Sequence, residues 1–396
     1  MSLQSTPNAS RLHIGIYGKR NAGKSSLINA LTGQQTSLVS SVPGTTTDPV
    51  YKPVELRGFG PAVFIDTAGL DDEGELGAAR VARTKEAAGK TDVAVFVFAS
   101  APDAETEWID DFRGRGVPVL TVINKCDALT DADAVRAAVT EKYGLEPVCV
   151  SALSGEGTET LRQRILDLAP EGFWDVSITG GLAHAGDTVL LVMPQDIQAP
   201  RGRLILPQVQ TIRELLDKRC VVISCTASEL DGALAALAHP PKLIITDSQV
   251  FPLVHEKKPP ESLFTSFSVL FAASKGDIDA FLRGAEAISS LREDSRVLIA
   301  EACAHAPTGE DIGREKIPAL LRRRVGQGLQ IDFVRGADFP DDLSPYDLVI
   351  HCGACMFNRR HVLTRIAQAE RQGTAICNYG IVIAALTGIL DKVSLP

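Results

Sequence analysis

The run Gly18-Lys19-Arg20-Asn21-Ala22-Gly23-Lys24-Ser25 constrains this chain more than any other stretch. It follows the apolar segment 12–17 and precedes the helical pattern 25–33. A glycine-rich loop in that place leaves a buried strand and enters a helix, so its backbone N–H groups and the helix N-terminus converge on phosphate oxygens. Gly18 and Gly23 allow close backbone approach, and Ala22 and Ser26 complete the expected cradle. Lys24 is expected to reach the β- and γ-phosphates, and Ser25 to ligate Mg2+. An eight-residue pattern also arises by chance, so the rest of the chain decides its weight.

Four further pieces follow in order. Asp66-Thr67-Ala68-Gly69 closes an apolar run, where Asp66 suits a water-mediated hold on Mg2+ and the Gly69 N–H suits the γ-phosphate. Asn124-Lys125-Cys126-Asp127 ends the run 117–124. The Asp127 carboxylate there is placed to accept both the ring N–H and the exocyclic amine of guanine, a donor pair adenine lacks. Ser151-Ala152-Leu153 ends another strand pattern and is expected to support the base. In the stretch 43–48, Thr46 suits a switch that gains a Mg2+ ligand when the γ-phosphate is present. The expected ligands are GTP or GDP with Mg2+, and the expected catalytic groups are Lys24, Thr46, Asp66 and Gly69.

These motifs resemble the translation-factor-like GTPases of the Era/TrmE group. Leu70 stands where Ras-like enzymes carry the Gln that orients water, so hydrolysis is expected to be slow. Asn21 occupies the loop position that in TrmE-like proteins helps coordinate potassium, so the resemblance implies K+-stimulated turnover.

The chain has 396 residues, too many for one ordinary core. Apolar runs alternate with amphipathic helical patterns throughout, the mark of parallel α/β layers. Strand patterns lie at 12–17, 63–66, 93–99, 117–124 and 148–152, with helical patterns at 76–90 and 133–143 between them. A Pro- and Gly-containing break at 169–186 and a charged, Pro-rich stretch at 255–261 divide the chain. The fold class expected is α/β, three domains in series at 1–172, 180–260 and 263–396. In the third, 267–272, 297–301, 331–334 and 347–351 read as strands, and Pro318 falls in the first turn of a helix at 317–325.

A formal charge of −9 argues against a nucleic-acid partner, which needs a basic surface for counterion release. The first residues lack the basic and apolar segments of a secretory signal. The longest apolar runs, 93–99 and 381–390, fall short of the ~20 residues that span a bilayer. A cytoplasmic protein without membrane contact is the expectation. Eight cysteines in such a chain do not form a disulfide framework. Cys126, Cys149, Cys220, Cys225 and Cys377 lie in apolar runs and read as small buried hydrophobes.

Cys303-Ala304-His305 and His351-Cys352-Gly353-Ala354-Cys355 differ from these, since each follows a strand pattern. Carboxyl ends of parallel strands are where open α/β sheets place ligand crevices. Soft thiolates select zinc or iron–sulfur clusters, and a structural Cys3His zinc site, a cluster site and a redox dithiol all remain open from the residues alone. With three cysteines, a fourth ligand falls to His305, His351, Glu310 or an exchangeable group.

A TrmE-like GTPase pattern, a middle α/β segment and then C-x-H…H-C-x-x-C resembles the HydF family, the maturation GTPases of FeFe-hydrogenase. The resemblance covers the whole chain. It implies a carrier that receives a diiron H-cluster precursor made with the radical-SAM maturases HydE and HydG. That precursor is held beside or on a 4Fe-4S cluster and passed to the apo-FeFe-hydrogenase. It further implies that Cys303, Cys352 and Cys355 supply the cluster thiolates, and that the middle segment forms a homodimer. A rival reading is an RNA-modification or ribosome-associated GTPase with a zinc-stabilised tail. Its basic stripe is missing: Arg322-Arg323-Arg324, flanked by Leu321 and Val325, reads as the solvated end of a helix. A thioredoxin-like dithiol enzyme lacks the expected N-terminal βαβ placement.

Overall fold

Segment Leu12–Tyr17 forms β1 and is buried at all six positions, as a parallel strand covered on both faces must be. The computed structural model describes residues 6–33, 49–71, 75–194, 204–302, 311–336 and 338–396. The chain divides at 174/175 into two compact units, within the break expected at 169–186.

In the first unit β1 lies inside a six-stranded sheet of order β2-β3-β1-β4-β5-β6. Its partners are β2 (Val50–Leu56), β3 (Gly60–Asp66), β4 (Val93–Phe98), β5 (Val119–Ile123) and β6 (Val148–Cys149). All neighbours are parallel except β2, which runs antiparallel to β3. β2 was hidden in the sequence because Lys52, Pro53 and Glu55 interrupt its apolar character. An edge strand tolerates Pro53, whose missing N–H costs no ladder bond. Helices α1 (Lys24–Thr32), α2 (Glu75–Ala88), α3 (Thr106–Gly114), α4 (Ala132–Tyr143) and α5 (Thr158–Asp167) join the strands.

One core packs Leu12, Ile14 and Ile16 with Leu27 of α1 and Leu161 and Ile165 of α5. A second packs Tyr17, Phe96 and Phe98 with Phe112 of α3 and Tyr143 of α4. Each such side chain contributes roughly 1.5–3 kcal/mol by leaving water. The sandwiched sheet is therefore a stiff base, and the loops at its carboxyl edge are the parts free to serve a ligand.

The second unit holds two parallel four-stranded sheets. One has the order β10-β9-β7-β8, from β7 (Thr188–Val192), β8 (Val221–Cys225), β9 (Leu243–Thr246) and β10 (Leu263–Ser266). The other has the order β12-β11-β13-β14, from β11 (Arg296–Glu301), β12 (Gln330–Arg335), β13 (Leu348–His351) and β14 (Ala375–Asn378). Helices α6 (Leu206–Asp217), α7 (Leu230–Ala235), α8 (Phe251–Lys257) and α9 (Phe267–Lys275) go with the first sheet in sequence. Helices α10 (Ile278–Ala287), α11 (Ile317–Val325), α12 (Arg359–Arg371) and α13 (Tyr379–Leu386) go with the other. Pro318 sits in the first turn of α11, as expected.

Three expectations are corrected here. Segment 267–272 is not a strand but most of α9, capped by the Ser266 hydroxyl, which accepts from the Val269 N–H. A short apolar run does not reveal its period, and the cap decided it. The stretch 255–261 is not wholly a linker, because α8 continues to Lys257. Strand β10 pairs with β9, so the boundary expected between 260 and 263 falls inside a sheet. A single core joins both sheets, with Leu190, Ile244 and Phe264 in the same cluster as Val297, Ile350 and Ile381. Ser394 reinforces this: its N–H donates to the Phe264 carbonyl at 2.6 Å, and its hydroxyl accepts from the Phe264 N–H at 3.2 Å.

The cysteines in apolar runs also divide. Cys220 and Cys377 are buried, but Cys126 and Cys225 are half-buried and Cys149 is exposed. Among the described residues no helix is long and apolar enough to cross a membrane.

Candidate functional site

The loop between β1 and α1 takes its shape from two glycines. Gly18 has φ +141°, and a Cβ there would stand 2.3 Å from the Val97 carbonyl oxygen. Gly23 has φ +87°, and its Cβ would meet the Asn124 amide nitrogen at 2.2 Å. No side chain fits at either position. Asn21 is exposed and itself left-handed at φ +59°, a conformation asparagine tolerates better than most residues. Lys24 is buried at the first position of α1, and its Nζ donates to the carbonyls of Gly18 and Lys19, both at 2.9 Å. The lysine Nζ is thus held under the loop, where phosphate would arrive. Ala22 and Ser26 flank it, the first buried and the second half-buried.

Asp66 ends β3 beside this loop. Its Oδ2 accepts from the Ser25 hydroxyl at 2.6 Å, while its buried Oδ1 has no hydrogen-bond partner. Burial pushes its carboxyl up from the usual range, opposed by the Ser25 bond and the Lys24 charge. An orphaned, desolvated carboxylate oxygen beside a serine hydroxyl suits a hard divalent cation such as Mg2+. The Leu70 N–H donates to the Gly18 carbonyl at 3.3 Å, which ties the segment around Gly69 to the phosphate loop. Leu70 itself packs against the second core, so it cannot orient water.

On the other side of the loop, Asn124 joins three segments. Its Nδ2 donates to Ala22 O at 2.9 Å, and its Oδ1 accepts from the Ala152 N–H at 3.1 Å. Lys125, at φ +62°, donates from Nζ to the Asn21 carbonyl at 2.7 Å. Ser151 Oγ accepts from the Ser154 N–H at 3.1 Å and so shapes the supporting turn. Gly23, Ser26, Asn124, Asp127 and Ala152 line a cavity of about 610 Å3, room for a nucleoside. The structure thus brings together Gly18, Ala22, Gly23, Lys24, Ser25, Ser26, Asp66, Asn124, Lys125, Asp127 and Ala152 around one edge of the sheet. Thr46 lies outside the described residues.

In the second unit, Cys352 and Cys355 lie on the turn after β13. The Cys352 N–H donates to the Ala300 carbonyl of β11 at 3.0 Å, and its Sγ accepts from the Ala302 N–H at 3.1 Å. The end of β11 and the Cys352 turn thus meet at neighbouring strand ends, and Ala302 immediately precedes Cys303 in the sequence. Cys303, His305 and Glu310 lie outside the described residues. Among the described residues, no three His, Cys, Asp or Glu side chains form a group able to hold a metal ion.

His351 departs from its expected ligand role. It is 1% exposed, its Nδ1 donates to the Cys352 carbonyl at 2.7 Å, and its Nε2 accepts from Arg365 at 2.9 Å. Both ring nitrogens are engaged, and burial together with the Arg365 charge pushes its pKa down to about 3. His351 braces the turn as a neutral ring. The residue that sequence reading missed is Lys275, at the end of α9. Its Nζ donates to the carbonyls of Ala354 at 3.2 Å, Cys355 at 2.9 Å and Phe357 at 2.8 Å. A lysine closing the otherwise apolar and small run 267–274 was the available signal.

Two family models match the second unit in succession: the hydrogen maturase F dimerization domain over residues 178–276, and the hydrogen maturase F tetramerization domain over 279–396. The chain belongs to the hydrogen maturase F family. Residues 13–125 match a model described as a 50S ribosome-binding GTPase, so in this family member a P-loop GTPase domain precedes the two maturase domains.

Curated relatives match over part of the chain. The tRNA modification GTPase MnmE of Ralstonia nicotianae is 36% identical over 171 residues, 40% of this chain and 35% of its own length. MnmE of Methylibium petroleiphilum is 32% identical over 236 residues, 57% of this chain and 46% of its own. The chain spans less than half the length of these relatives. Among solved structures, Aquifex aeolicus Era bound to GDP and aluminium fluoride is 21% identical with a TM-score of 0.37, covering 57% of this chain and 98% of that one. The S. thermophilus NFeoB domain bound to GDP, aluminium fluoride and K+ is 20% identical with a TM-score of 0.33, covering 40% and 62%. The maturase F model for dimerization ends one residue after Lys275, and the tetramerization model contains the cysteine turn that Lys275 holds.

Proposed function

We propose that this maturase F chain hydrolyses GTP and acts as an iron–sulfur scaffold in the assembly of FeFe-hydrogenase. In this reading residues 1–172 form the nucleotide domain. The middle domain, proposed at 180–260 from the sequence, reaches further to include β10 and α9. The cluster domain follows to 396. The chain works in the cytoplasm as a homo-oligomer, a dimer at least. It accepts a diiron precursor from the radical-SAM maturases HydE and HydG and passes it to the apo-hydrogenase.

In the nucleotide half, the backbone N–H groups of 18–25 and the α1 N-terminus receive the phosphates, and Lys24 turns from the Gly18 and Lys19 carbonyls to the β,γ-oxygens. Ser25, Asp66 and Thr46 would hold Mg2+, which neutralises charge on those oxygens. Asp127 reads guanine, while Ser151, Ala152 and the Lys125 stem flank it. Gly69 N–H meets the γ-phosphate. Leu70, packed against the core, offers no group to orient water, and the intrinsic rate is slow. Asn21, exposed at the loop's crest, is the proposed K+ ligand. Faster turnover in KCl than in NaCl is expected, and equal rates would remove that role.

In the other half, Cys303, Cys352 and Cys355 would hold a 4Fe-4S cluster, which offers the diiron cargo a site of attachment. His305, Glu310 or an exchangeable group completes the set, since His351 has both nitrogens occupied. The observation that supports the reading is the contact of Cys352 Sγ with the Ala302 N–H, next in sequence to Cys303, in a chain whose first unit has a cavity lined by Asn124 and Asp127.

Anaerobic iron reconstitution followed by EPR of the reduced protein tests it. A 4Fe-4S signal that disappears on Cys303→Ala, Cys352→Ala or Cys355→Ala is expected. Stoichiometric zinc that iron cannot displace, without an EPR signal, would move the assignment to an RNA-associated GTPase with a structural metal.

A further inference from the structure

Helix α9 reads Phe-Ser-Val-Leu-Phe-Ala-Ala-Ser before its last residue, Lys275. Long charged side chains in such surroundings need partners, because an unpaired ammonium is costly to desolvate. Lys275 has them. A lysine ammonium carries three N–H donors, and here three backbone carbonyls accept them, those of Ala354, Cys355 and Phe357. All three belong to one turn, so that turn wraps the ammonium. Ala354 within it is buried and sits at φ +45°, a conformation that a residue with a Cβ takes only when its surroundings enforce it.

The contact is returned from the opposite side. Arg359, just past the turn, donates from Nε to the Ser274 carbonyl at 3.1 Å and from Nη2 to the Gly276 carbonyl at 3.3 Å. Lysine and arginine therefore form a two-way clasp between the end of α9 and the segment from Ala354 to Arg359. Phe271, one turn earlier in α9, presents its ring 5.6 Å from the same ammonium.

We propose that Lys275 is the positioning residue of the cysteine turn, fixing the backbone of 354–357 so that Cys352 and Cys355 present their sulfurs together before any metal arrives. The inference rests on the reading of these cysteines as soft-metal ligands. It adds that their geometry is set by a residue on the helix of the neighbouring sheet. The ordering cost of the turn is met during folding, so metal binding does not bear it.

The test is an anaerobic Cd2+ titration of the full chain, read by thiolate-to-cadmium absorbance. Wild type, Lys275→Met, Lys275→Gln and Arg359→Met are compared, with thermal midpoints and oligomeric state measured alongside. Hydrogen bonds to a charged group are worth about 1.5–3 kcal/mol each, so Lys275→Met is expected to weaken Cd2+ binding at least about tenfold. Lys275→Gln, which keeps two N–H donors, falls between Met and wild type. Arg359→Met lowers the thermal midpoint while leaving the three carbonyls satisfied, and changes Cd2+ binding by less than about threefold. A Lys275→Met titration matching wild type would overturn the proposal, as would equal losses in Lys275→Met and Arg359→Met. If Lys275→Met does not fold, the Lys275→Gln titration decides by the same criterion. Absence of a cadmium–thiolate band in wild type is a separate result, and it removes the soft-metal reading itself.

Discussion

The nucleotide loops and the cysteine turn both lie at carboxyl ends of parallel strands, yet they are held in different ways. The nucleotide side is fastened by residues of its own motifs: glycines where no Cβ fits, a lysine bonded to its own loop, and one motif asparagine linking three loops. The cysteine side depends on charged side chains from outside its motif, Lys275 from α9, 80 residues before Cys355, and Arg365 from α12, the helix that follows the turn. A site built from its own backbone leaves a motif in the sequence. A site held by remote cations leaves only isolated residues whose purpose appears after folding.

The strongest way to break the comparison is a pair of reciprocal substitutions. Lys24→Ala is expected to cut GTP turnover roughly a hundred- to a thousandfold, the scale of losing a charge-stabilising donor. Soft-metal binding should stay as in wild type. Cys352→Ala should do the reverse, with initial-rate GTPase assays and metal titration read on the same samples. If either substitution disturbed both activities, the two sites would not be separately organised.

A smaller effect sharpens the account of the nucleotide side. Asn124→Ala removes the link between the loops at Ala22 and Ala152, and a fluorescent GDP analogue should bind about ten- to a hundredfold more weakly. Loss confined to the association rate would instead point to a change in loop opening.

A further effect concerns stability and leaves both sites untouched. His13, on β1 at the opposite end from the nucleotide, is kept neutral by burial, which pushes its pKa down to about 4 from 6.5. The unfolded chain binds a proton there and the folded chain does not. Stability of the first unit therefore falls as pH drops from about 6.5 toward 4, by up to about 1.4 kcal/mol per pH unit from this group. Urea unfolding at several pH values should show that slope, and His13→Gln should flatten it.

Much of the first unit was legible. Its glycine loop, guanine motif and buried strands follow rules of short range, and the elements stand within a few residues of expectation. What escaped did so for physical reasons. β2 looked too polar because an edge strand exposes one side. The run 267–272 has no visible period, since α9 is apolar on nearly every face, and only the Ser266 cap marks its start. His351 has the residue type of a ligand, but Arg365, on the helix after the turn, takes its second nitrogen, and no motif marks that pairing. Lys275 carried no motif at all.

The shared core of the second unit has a consequence for how such a chain could be taken apart. Two family models divide it at 276/279, as though two beads were strung on a thread. Yet Phe264 and Val297 sit in one apolar cluster, and Ser394, near the last residue, is bonded to β10. A cut at that junction would shear the cluster and leave wet apolar faces on both fragments. The family models mark two modules there; a protease or a truncation at the junction would meet one packed unit running from 175 to 396.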